Sequence, residues 1–372
     1  MKKLGFGCMR LPLLDSSVNT SIDMEQFKRM ADAFIERGFT YFDTAYMYHG
    51  HQSEIAVREA VVKRHPRGSF TLTSKLPMSM LKSAENQREV FNEQLEKCGV
   101  EYFDYYLLHN MNKKTYQIAK DYDSFAFQQQ LKAEGRIKVA GISFHDSAEL
   151  LDEILTAHPE IELVQIQLNY LDWESPTIQS RKCYEVCVKH NKPVIVMEPV
   201  KGGILVNQLP ENAKALLKEA NPDASPASWA VRFAASQPQV MMVLSGMSAY
   251  DQLEDNMSYM ADFRPLTEGE KDVIAKVVAA MNSASTIPCT ACEYCVEGCP
   301  MQINIPKFFA AYNSVQQFGQ KVLGNQRMYY NVYAEEGGKA SQCLGCGQCE
   351  GVCPQHLPII DNLVKVAETF EQ

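Results

Sequence analysis

Eight of the twelve cysteines fall into two runs that share one spacing. Each run reads C-x2-C-x2-C-x3-C-P, so three thiolates lie close together and a proline follows the fourth cysteine. The members are Cys289, Cys292, Cys295 and Cys299 in the first run, and Cys343, Cys346, Cys349 and Cys353 in the second. This spacing binds [4Fe–4S] clusters, with the fourth cysteine of each run ligating the cluster of the other. The sequence therefore predicts two [4Fe–4S] clusters.

Other uses of cysteine fit these runs less well. Zinc sites favour C-x2-C pairs separated by a longer loop, with no third cysteine two residues further on. Disulfides are the second alternative, but such tight spacings suit thiolate ligation better. The remaining cysteines are scattered, and we expect them to be small buried hydrophobic residues. They are Cys8, Cys98, Cys183 and Cys187.

Composition and charge argue against several classes of protein. The formal net charge of −9 argues against nucleic acid or an anionic membrane as the main partner. No apolar run reaches the roughly 18 residues that a membrane span needs, and the first residues lack the apolar region of a signal peptide. Thiolate clusters in a chain without an export signal indicate the reducing cytoplasm. The length of 372 residues is typical of two or three domains.

Residues 1–264 alternate short apolar runs with amphipathic helical patterns. The runs are 4–8, 39–43, 70–75, 102–108, 139–143, 163–168, 193–197 and 240–245. Eight such runs, most followed by a helical pattern, predict a (β/α)8 barrel. A doubly wound open sheet is the alternative. Its glycine fingerprint is missing, because Gly5 and Gly7 are followed by Met9 and Arg10 rather than by a third glycine and a helix.

The rest of the chain predicts a linking helix and a small α-rich domain. Residues 265–285 carry a helical pattern that leads to the cysteines. Residues 286–372 are expected to form a ferredoxin-like domain that holds both clusters. The long spacer between the two cysteine runs predicts a helical insert at 304–342, because its apolar residues recur at helical spacing.

Four polar residues lie at the ends of three consecutive predicted strands or in the loop beyond. Asp43 ends the second strand, Tyr48 follows it, Lys75 ends the third and His109 ends the fourth. Catalytic residues of a barrel lie at this end. A phenol titrates near pH 10, and a nearby ammonium stabilises its phenolate, so we expect Lys75 to lower the pKa of Tyr48. Asp43 would keep the ammonium charged and placed, and His109 could orient a carbonyl oxygen.

These motifs resemble the aldo-keto reductase family over residues 1–264. The matching stretches are Asp43-Thr44-Ala45-x-x-Tyr48, the strand-end Lys75 and Leu107-Leu108-His109. The whole chain resembles the branch of that family with a C-terminal domain carrying two [4Fe–4S] clusters. The resemblance implies a catalytic tetrad of Asp43, Tyr48, Lys75 and His109. It also implies NAD(P)(H) as cofactor and a small-molecule carbonyl or alcohol as substrate.

The same resemblance implies a set of cofactor-binding residues. Ser143 and Gln165 would hold the nicotinamide carboxamide, and Glu198 takes the place where many members have a tyrosine stacked on the ring. The pyrophosphate loop would pass Gly202 and Gly203. The adenosine phosphate end would contact Gly246, Ser248, Gln252 and Asn256. Because Gly246 and Gln252 are neutral where some members place a basic pair, NAD and NADP both remain open.

Two enzymatic functions follow from these residues. In the first, a nicotinamide-dependent carbonyl reductase uses Tyr48 as proton donor and the clusters are structural. In the second, the clusters pass single electrons between a substrate in the barrel and a flavin or a redox protein partner, because hydride chemistry moves electrons in pairs. A redox sensor whose barrel only binds a ligand is the third hypothesis. It is the least favoured, because a sensor does not need the whole tetrad.

Overall fold

Eight parallel strands form a closed barrel in this computed structural model, which describes residues 2–175, 178–282, 286–318, 320, 323–335 and 337–371. The strands are β1 Leu4–Gly7, β2 Tyr41–Asp43, β3 Thr71–Leu76, β4 Phe103–Met111, β5 Ile137–Phe144, β6 Leu163–Gln167, β7 Val194–Met197 and β8 Val240–Ser245. Each strand pairs with the next, and β8 pairs with β1, where Phe6 lies opposite Ser245. The predicted barrel is confirmed, and the open sheet is excluded because the sheet has closed.

The predicted strands agree with the observed ones to within three residues at either end. The largest difference is in β4, which continues past Leu108 to Met111 with an irregular register between these residues. His109 therefore lies inside β4. The prediction that His109 ends this strand is wrong. The next residue, Asn110, has a left-handed backbone with φ 57°.

The barrel interior is a packed core. Apolar side chains from different strands meet there, namely Tyr41, Leu107, Leu163, Ile195, Met242 and Leu244. Gly141 makes room for two of them, because a Cβ at this position would lie 2.8 Å from Leu107 and 2.9 Å from Leu163. A filled interior leaves only the strand ends and their loops for chemistry.

Helices follow most strands. The α-helices of the described residues are α1 Met24–Glu36, α2 Ser53–Val57, α3 Asn86–Cys98, α4 Lys113–Asp121, α5 Ser124–Ala133, α6 Ala148–Ala157, α7 Ser180–Lys189, α8 Ile204–Asn207, α9 Glu211–Ala220, α10 Pro226–Ala235, α11 Tyr250–Met260, α12 Glu268–Asn282, α13 Tyr294–Glu297, α14 Ile305–Phe318, α15 Leu323–Glu335, α16 Gln348–Val352 and α17 Ile359–Phe370. Ser225 caps α10 by accepting a hydrogen bond from the backbone of Ser228, and Pro226 takes the first helical position.

The chain divides into two compact units. The barrel unit comprises Met1–Pro199 and Ala224–Lys271, and the cysteine-rich unit comprises Val200–Asp223 and Asp272–Gln372. The segment that follows β7 is thus part of the cysteine-rich unit. Helix α12 lies within the predicted linking segment 265–285, whose residues 283–285 lie outside the described part of the chain. The boundaries 1–264, 265–285 and 286–372 remain predictions.

The cysteine-rich unit has an apolar core of its own. Helices α14, α15 and α17 contribute to it, and α14 and α15 lie in the predicted insert 304–342. The ring of Tyr330 lies between those of Phe308 and Phe370, with centroid distances of 4.4 Å and 5.1 Å. Such contacts let a small unit bury apolar surface around its cysteines.

No helix among the described residues is long and apolar enough to cross a membrane.

Candidate functional site

Three members of the predicted tetrad meet at Lys75. Its Nζ atom donates hydrogen bonds to Asp43 Oδ1 at 2.5 Å, to the backbone oxygen of Thr44 at 2.9 Å and to Tyr48 Oη at 3.3 Å. Strand pairing explains the meeting, because β2 and β3 run side by side and place Asp43 next to the end of β3. Since Tyr48 Oη accepts from Lys75, its own proton is left to donate elsewhere.

The ion pair between Lys75 and Asp43 is buried. Lys75 is 0% exposed and Asp43 is 3% exposed. Burial raises the pKa of the Asp43 carboxyl, while Lys75 and a hydrogen bond from Gln165 oppose that rise. Taking two charges out of water is costly, so the geometry of the pair must be held by its surroundings. The pair fixes the ammonium beside the tyrosine.

The pKa of Tyr48 differs from the sequence prediction. We expected Lys75 to lower it, whereas burial raises it well above its usual value, and the negative charges of Asp43 and Glu198 raise it further. The main reason is burial, because a phenolate loses its hydration there, and Asp43 at 2.5 Å also offsets the charge of Lys75. Tyr48 is therefore a neutral phenol at neutral pH, which is the form that can donate a proton.

His109 completes the tetrad as a neutral imidazole. Its ring lies 5.9 Å from that of Tyr48, between centroids, at an angle of 80°. Burial lowers the pKa of His109 well below its usual value, and the charges of Lys75 and His145 lower it further. The Nδ1 atom is buried without a hydrogen-bond partner among the described residues. A neutral imidazole beside a phenol can donate a hydrogen bond to a substrate oxygen.

Ser143 and Gln165 face each other across the pair of strands β5 and β6, and both are 1% exposed. The backbone N–H of Asn110 donates to Ser143 Oγ at 3.1 Å. Gln165 Nε2 donates to Asp43 Oδ2 at 3.2 Å. Gln165 thus supports the tetrad as well as lying where the sequence predicts a nicotinamide contact.

Glu198 follows β7 and is held in an unusual backbone conformation, with φ 57°. Asn169 Nδ2 donates to its backbone oxygen at 3.1 Å. The Glu198 carboxylate has one buried oxygen, Oε2, without a hydrogen-bond partner in the described structure. Because its negative charge contributes to the raised pKa of Tyr48, Glu198 belongs to the electrostatic surroundings of the tetrad.

Four predicted cofactor residues lie in the loop after β8 and in α11. Gln252 Oε1 accepts from the backbone N–H of Ser248 at 2.9 Å, and Asn256 Nδ2 donates to Ser245 Oγ at 2.7 Å. Gly246 lies against the side chain of Arg10, since a Cβ there would be 3.1 Å from that of Arg10. Arg10 is a cation that the sequence had not assigned to this region.

Gly202 and Gly203 lie in the cysteine-rich unit, with φ 62° and 94°. A Cβ on Gly202 would lie 2.7 Å from the backbone oxygen of Thr290, the residue that follows Cys289. Glycine is therefore required at position 202 both by its backbone and by this close approach. The structure gives Gly202 a packing role beside the predicted contact with pyrophosphate.

The eight cysteines of the two runs surround two cavities. The first cavity is lined by Cys289, Cys292, Cys295 and Cys353, and the second by Cys299, Cys343, Cys346 and Cys349. Each cavity thus takes three cysteines from one run and the fourth from the other, as the spacing predicts. The empty volumes, including the part open to solvent, are about 320 Å³ and 330 Å³. Four cysteine side chains lining each cavity suit a [4Fe–4S] cluster there.

The other four cysteines are buried, which confirms their predicted role as small core residues. Burial raises the pKa of each of these thiols. Thiols of this kind are poor nucleophiles and poor metal ligands.

Two buried polar residues were not predicted from the sequence, because their positions resemble ordinary helix or loop positions. Glu54 in α2 is 0% exposed, and its Oε1 accepts hydrogen bonds from Ser74 Oγ at 2.6 Å and Gln94 Nε2 at 2.7 Å. Gln94 also donates to the backbone oxygen of Lys75 at 3.0 Å. Gln355 lines the first cavity and accepts a hydrogen bond from Lys201.

Comparison with known proteins gives a family match for each of two parts of the chain. Residues 288–357 match a 4Fe-4S dicluster domain, and residues 3–279 match the aldo/keto reductase family. The uncharacterized oxidoreductase YqkF of Bacillus subtilis (strain 168) is 25% identical over 301 residues, which are 73% of this chain and 90% of YqkF. The 9,11-endoperoxide prostaglandin H2 reductase of Trypanosoma cruzi is 27% identical over 206 residues, 54% of this chain and 68% of that reductase.

Solved structures agree with the fold. The holo form of aldo-keto reductase AKR11C1 from Bacillus halodurans superposes with a TM-score of 0.60 at 26% identity, covering 74% of this chain and 91% of that one. An aldo-keto reductase from Klebsiella pneumoniae superposes with a TM-score of 0.58 at 20% identity over 74% and 90% of the two chains, which shows a shared fold. Because the family match covers well over half of the sequence, the chain belongs to the aldo/keto reductase family and carries a 4Fe-4S dicluster domain after its barrel.

Proposed function

We propose that the barrel reduces a carbonyl group of a small molecule, or oxidises the corresponding alcohol, with NAD(P)(H) as hydride carrier. The nicotinamide cofactor, when bound, supplies or accepts the hydride. It would be held by residues of the barrel unit, namely Ser143, Gln165, Glu198, Gly246, Ser248, Gln252 and Asn256. The observation that carries the proposal is the buried hydrogen-bonded set of Asp43, Lys75 and Tyr48.

Each tetrad residue has one task in this proposal. Tyr48 gives its proton to the carbonyl oxygen as the hydride arrives at carbon. Lys75 donates to Tyr48 Oη and stabilises the negative charge that the oxygen gains when the proton leaves. Asp43 holds the Lys75 ammonium in place. His109, as a neutral imidazole, donates a hydrogen bond to the substrate oxygen.

The direct test replaces one hydroxyl. In Tyr48→Phe, carbonyl reduction should fall on the order of 10³-fold, because the proton donor is lost while the ring that packs beside His109 is kept. The assay follows NADH or NADPH oxidation with a panel of aldehydes and ketones under anaerobic conditions. Tyr46→Phe is the matched control, because the Tyr46 hydroxyl bonds to Glu93 and not to the tetrad, so its turnover should stay within a few-fold. Turnover by Tyr48→Phe close to that of the control would refute Tyr48 as donor.

A second function has one observation in its favour. Cys346 is exposed, and its neighbour Leu344 is 67% exposed, although both flank the second cavity. We propose as the alternative that the clusters exchange single electrons with a redox protein, or with a flavin, and link it to a substrate in the barrel. An exposed ligand allows a carrier to approach the cluster closely.

The two functions give different results in one measurement. The protein is mixed anaerobically with NADPH and a carbonyl compound that serves as substrate. The visible absorbance of the clusters is followed during turnover. If the barrel works alone, the absorbance stays constant and no carrier is needed. If the clusters take part, NADPH alone supports no turnover, and an added reduced one-electron carrier both bleaches the clusters and drives the reduction. We also propose a cytoplasmic location, because eight free thiolates require a reducing compartment.

A further inference from the structure

Gln355 occupies a position beside the first cavity that none of the proposed functions explains. It is the second residue after Cys353, it lines the first cavity and it is 4% exposed. A buried side-chain amide normally has partners for both its oxygen and its nitrogen. The burial of the Gln355 amide therefore needs a physical explanation.

Lys201 fixes which end of this amide faces the cavity. Lys201 is 2% exposed, and its Nζ atom lies 2.7 Å from Gln355 Oε1. An ammonium can only donate, so the atom facing Lys201 must be the oxygen. The nitrogen, Nε2, is buried and has no hydrogen-bond partner among the described residues. The N–H groups of Gln355 are thus left for the cavity that this residue lines.

The second cavity has no amide at the position equivalent to Gln355. In the first cysteine run, the second residue after Cys299 is Met301, and Met301 lines the second cavity in the same way. A thioether carries no N–H donor. Among the described residues that line the second cavity, none is basic. Gln348 also lines the second cavity, but its side chain is exposed and therefore solvated, so among the described lining residues a buried side-chain amide is found in the first cavity alone.

We propose that Gln355, oriented by Lys201, donates a hydrogen bond to a sulfur atom of the cluster in the first cavity and makes that cluster easier to reduce than the cluster in the second. Reduction adds one negative charge, which delocalises onto the sulfur atoms. A hydrogen bond to sulfur stabilises the reduced state more than the oxidised one. Gln355 is a tuning residue, and a single added electron resides mainly on the cluster of the first cavity.

The charge of Lys201 acts in the same direction. It polarises the Gln355 amide, which strengthens the N–H as a donor. Glu293 lines the same cavity with the opposite charge, but it is exposed, and solvent screens it.

The test exchanges Gln355 for the residue that the other run carries. Gln355→Met keeps the approximate volume and removes the N–H donor. Midpoint potentials of both clusters are measured by EPR-monitored titration with dithionite under anaerobic conditions, and iron per chain is counted. In the variant one cluster, the higher-potential one, should become harder to reduce. The expected shift is about tenfold in the distribution of one electron between the clusters, or about 59 mV for a one-electron couple.

Two further variants make the result specific. Lys201→Met should shift the same potential in the same direction by a smaller amount, because the amide remains. Gln302→Met makes the same chemical change at an exposed residue near the first run and should shift neither potential. Unchanged potentials in Gln355→Met, or equal shifts of both, overturn the proposal. Loss of iron from Gln355→Met overturns it as well, because Gln355 would then retain the cluster and not tune it.

Discussion

In the barrel, the charged residues of the candidate site are distant in sequence, whereas in the cysteine-rich unit the ligands are near neighbours. Asp43 and Lys75 lie 32 positions apart and meet because β2 and β3 are adjacent. The cysteines of each run converge because short turns curl the chain around a cavity. The barrel site is therefore a product of the whole fold, and each cysteine loop is largely a product of its own backbone.

The two cysteine loops show that their shape depends on local backbone conformation. Ala291 and Gly345 hold the same position in their runs and have φ 51° and 66°, and Glu293 and Gly347, also equivalent, have φ 65° and 74°. The same left-handed turns thus form with and without glycine. Such residues cost free energy unless the surroundings hold them, and sulfur–iron bonds would hold them here. In the barrel, the interaction that holds the candidate site in place is the buried ion pair between Lys75 and Asp43.

This difference predicts where a single substitution does most harm. Lys75→Met leaves Asp43 buried without its cation, which should lower the free energy of unfolding of the barrel by about 3–5 kcal/mol. Carbonyl turnover should fall on the order of 10³-fold as well. Urea unfolding followed by tryptophan fluorescence reports on the barrel, because both tryptophans, Trp173 and Trp229, lie in the barrel unit.

Two companion variants make this prediction sharper. Adding Asp43→Leu to Lys75→Met removes the unpaired charge and should recover most of the stability but none of the turnover. Lys97→Met breaks the partly exposed pair with Glu93 and should cost less than about 1 kcal/mol. If Lys75→Met proved no more harmful than Lys97→Met, the barrel site would not depend on its buried pair.

A second buried carboxyl in the barrel gives a pH dependence that the cysteine-rich unit should not share. Burial raises the pKa of Glu54 from 4.5 to about 7, although hydrogen bonds from Ser74 and Gln94 oppose the rise. The folded barrel binds this proton more tightly than the unfolded chain. The resulting stability is complete below pH 4.5 and is lost as the pH rises to about 7. It amounts to about 3 kcal/mol, since one pKa unit is worth about 1.4 kcal/mol.

Glu54→Gln should remove this dependence. The variant keeps an oxygen that can accept from Ser74 and Gln94, but it cannot ionise. Between pH 4.5 and pH 8, the free energy of unfolding of the unmodified barrel should fall by about 3 kcal/mol relative to that of the variant. The same tryptophan-detected unfolding, repeated across pH, measures the difference. Parallel stability curves for the two proteins would show that Glu54 does not ionise in this window.

Sequence patterns could predict what depends on short range or on regular periodicity. The eight strands and the sharing of the fourth cysteine between cavities are of this kind. The contact between Lys201 and Gln355 joins residues 154 positions apart, and nothing in either stretch signals it. Glu54 reads as a surface helix residue, because burial of a polar side chain depends on tertiary packing. The pKa of Tyr48 was predicted in the wrong direction for the same reason: a sequence shows which charges can be near but not how little water remains.

The smallest expected effect concerns Gly202. It shows whether this residue supports the loop of the first cavity or acts in cofactor binding. Gly202→Ala adds a Cβ that would lie 2.7 Å from the Thr290 oxygen, on top of the cost of about 1 kcal/mol for alanine at positive φ. The turn must then move away from the loop of the first cavity. Iron release to a chelator, measured by the loss of visible absorbance, should become several-fold faster.

Gly345→Ala is the matched control. It carries the same backbone cost at φ 66°, but its Cβ would meet no atom within 4 Å, and the equivalent residue of the first run is already Ala291. Iron release from this variant should stay close to that of the unmodified protein. If Gly202→Ala released iron at the control rate and instead raised only the KM for NAD(P)H, Gly202 would act in cofactor binding, and the segment after β7 would serve the barrel and not the clusters.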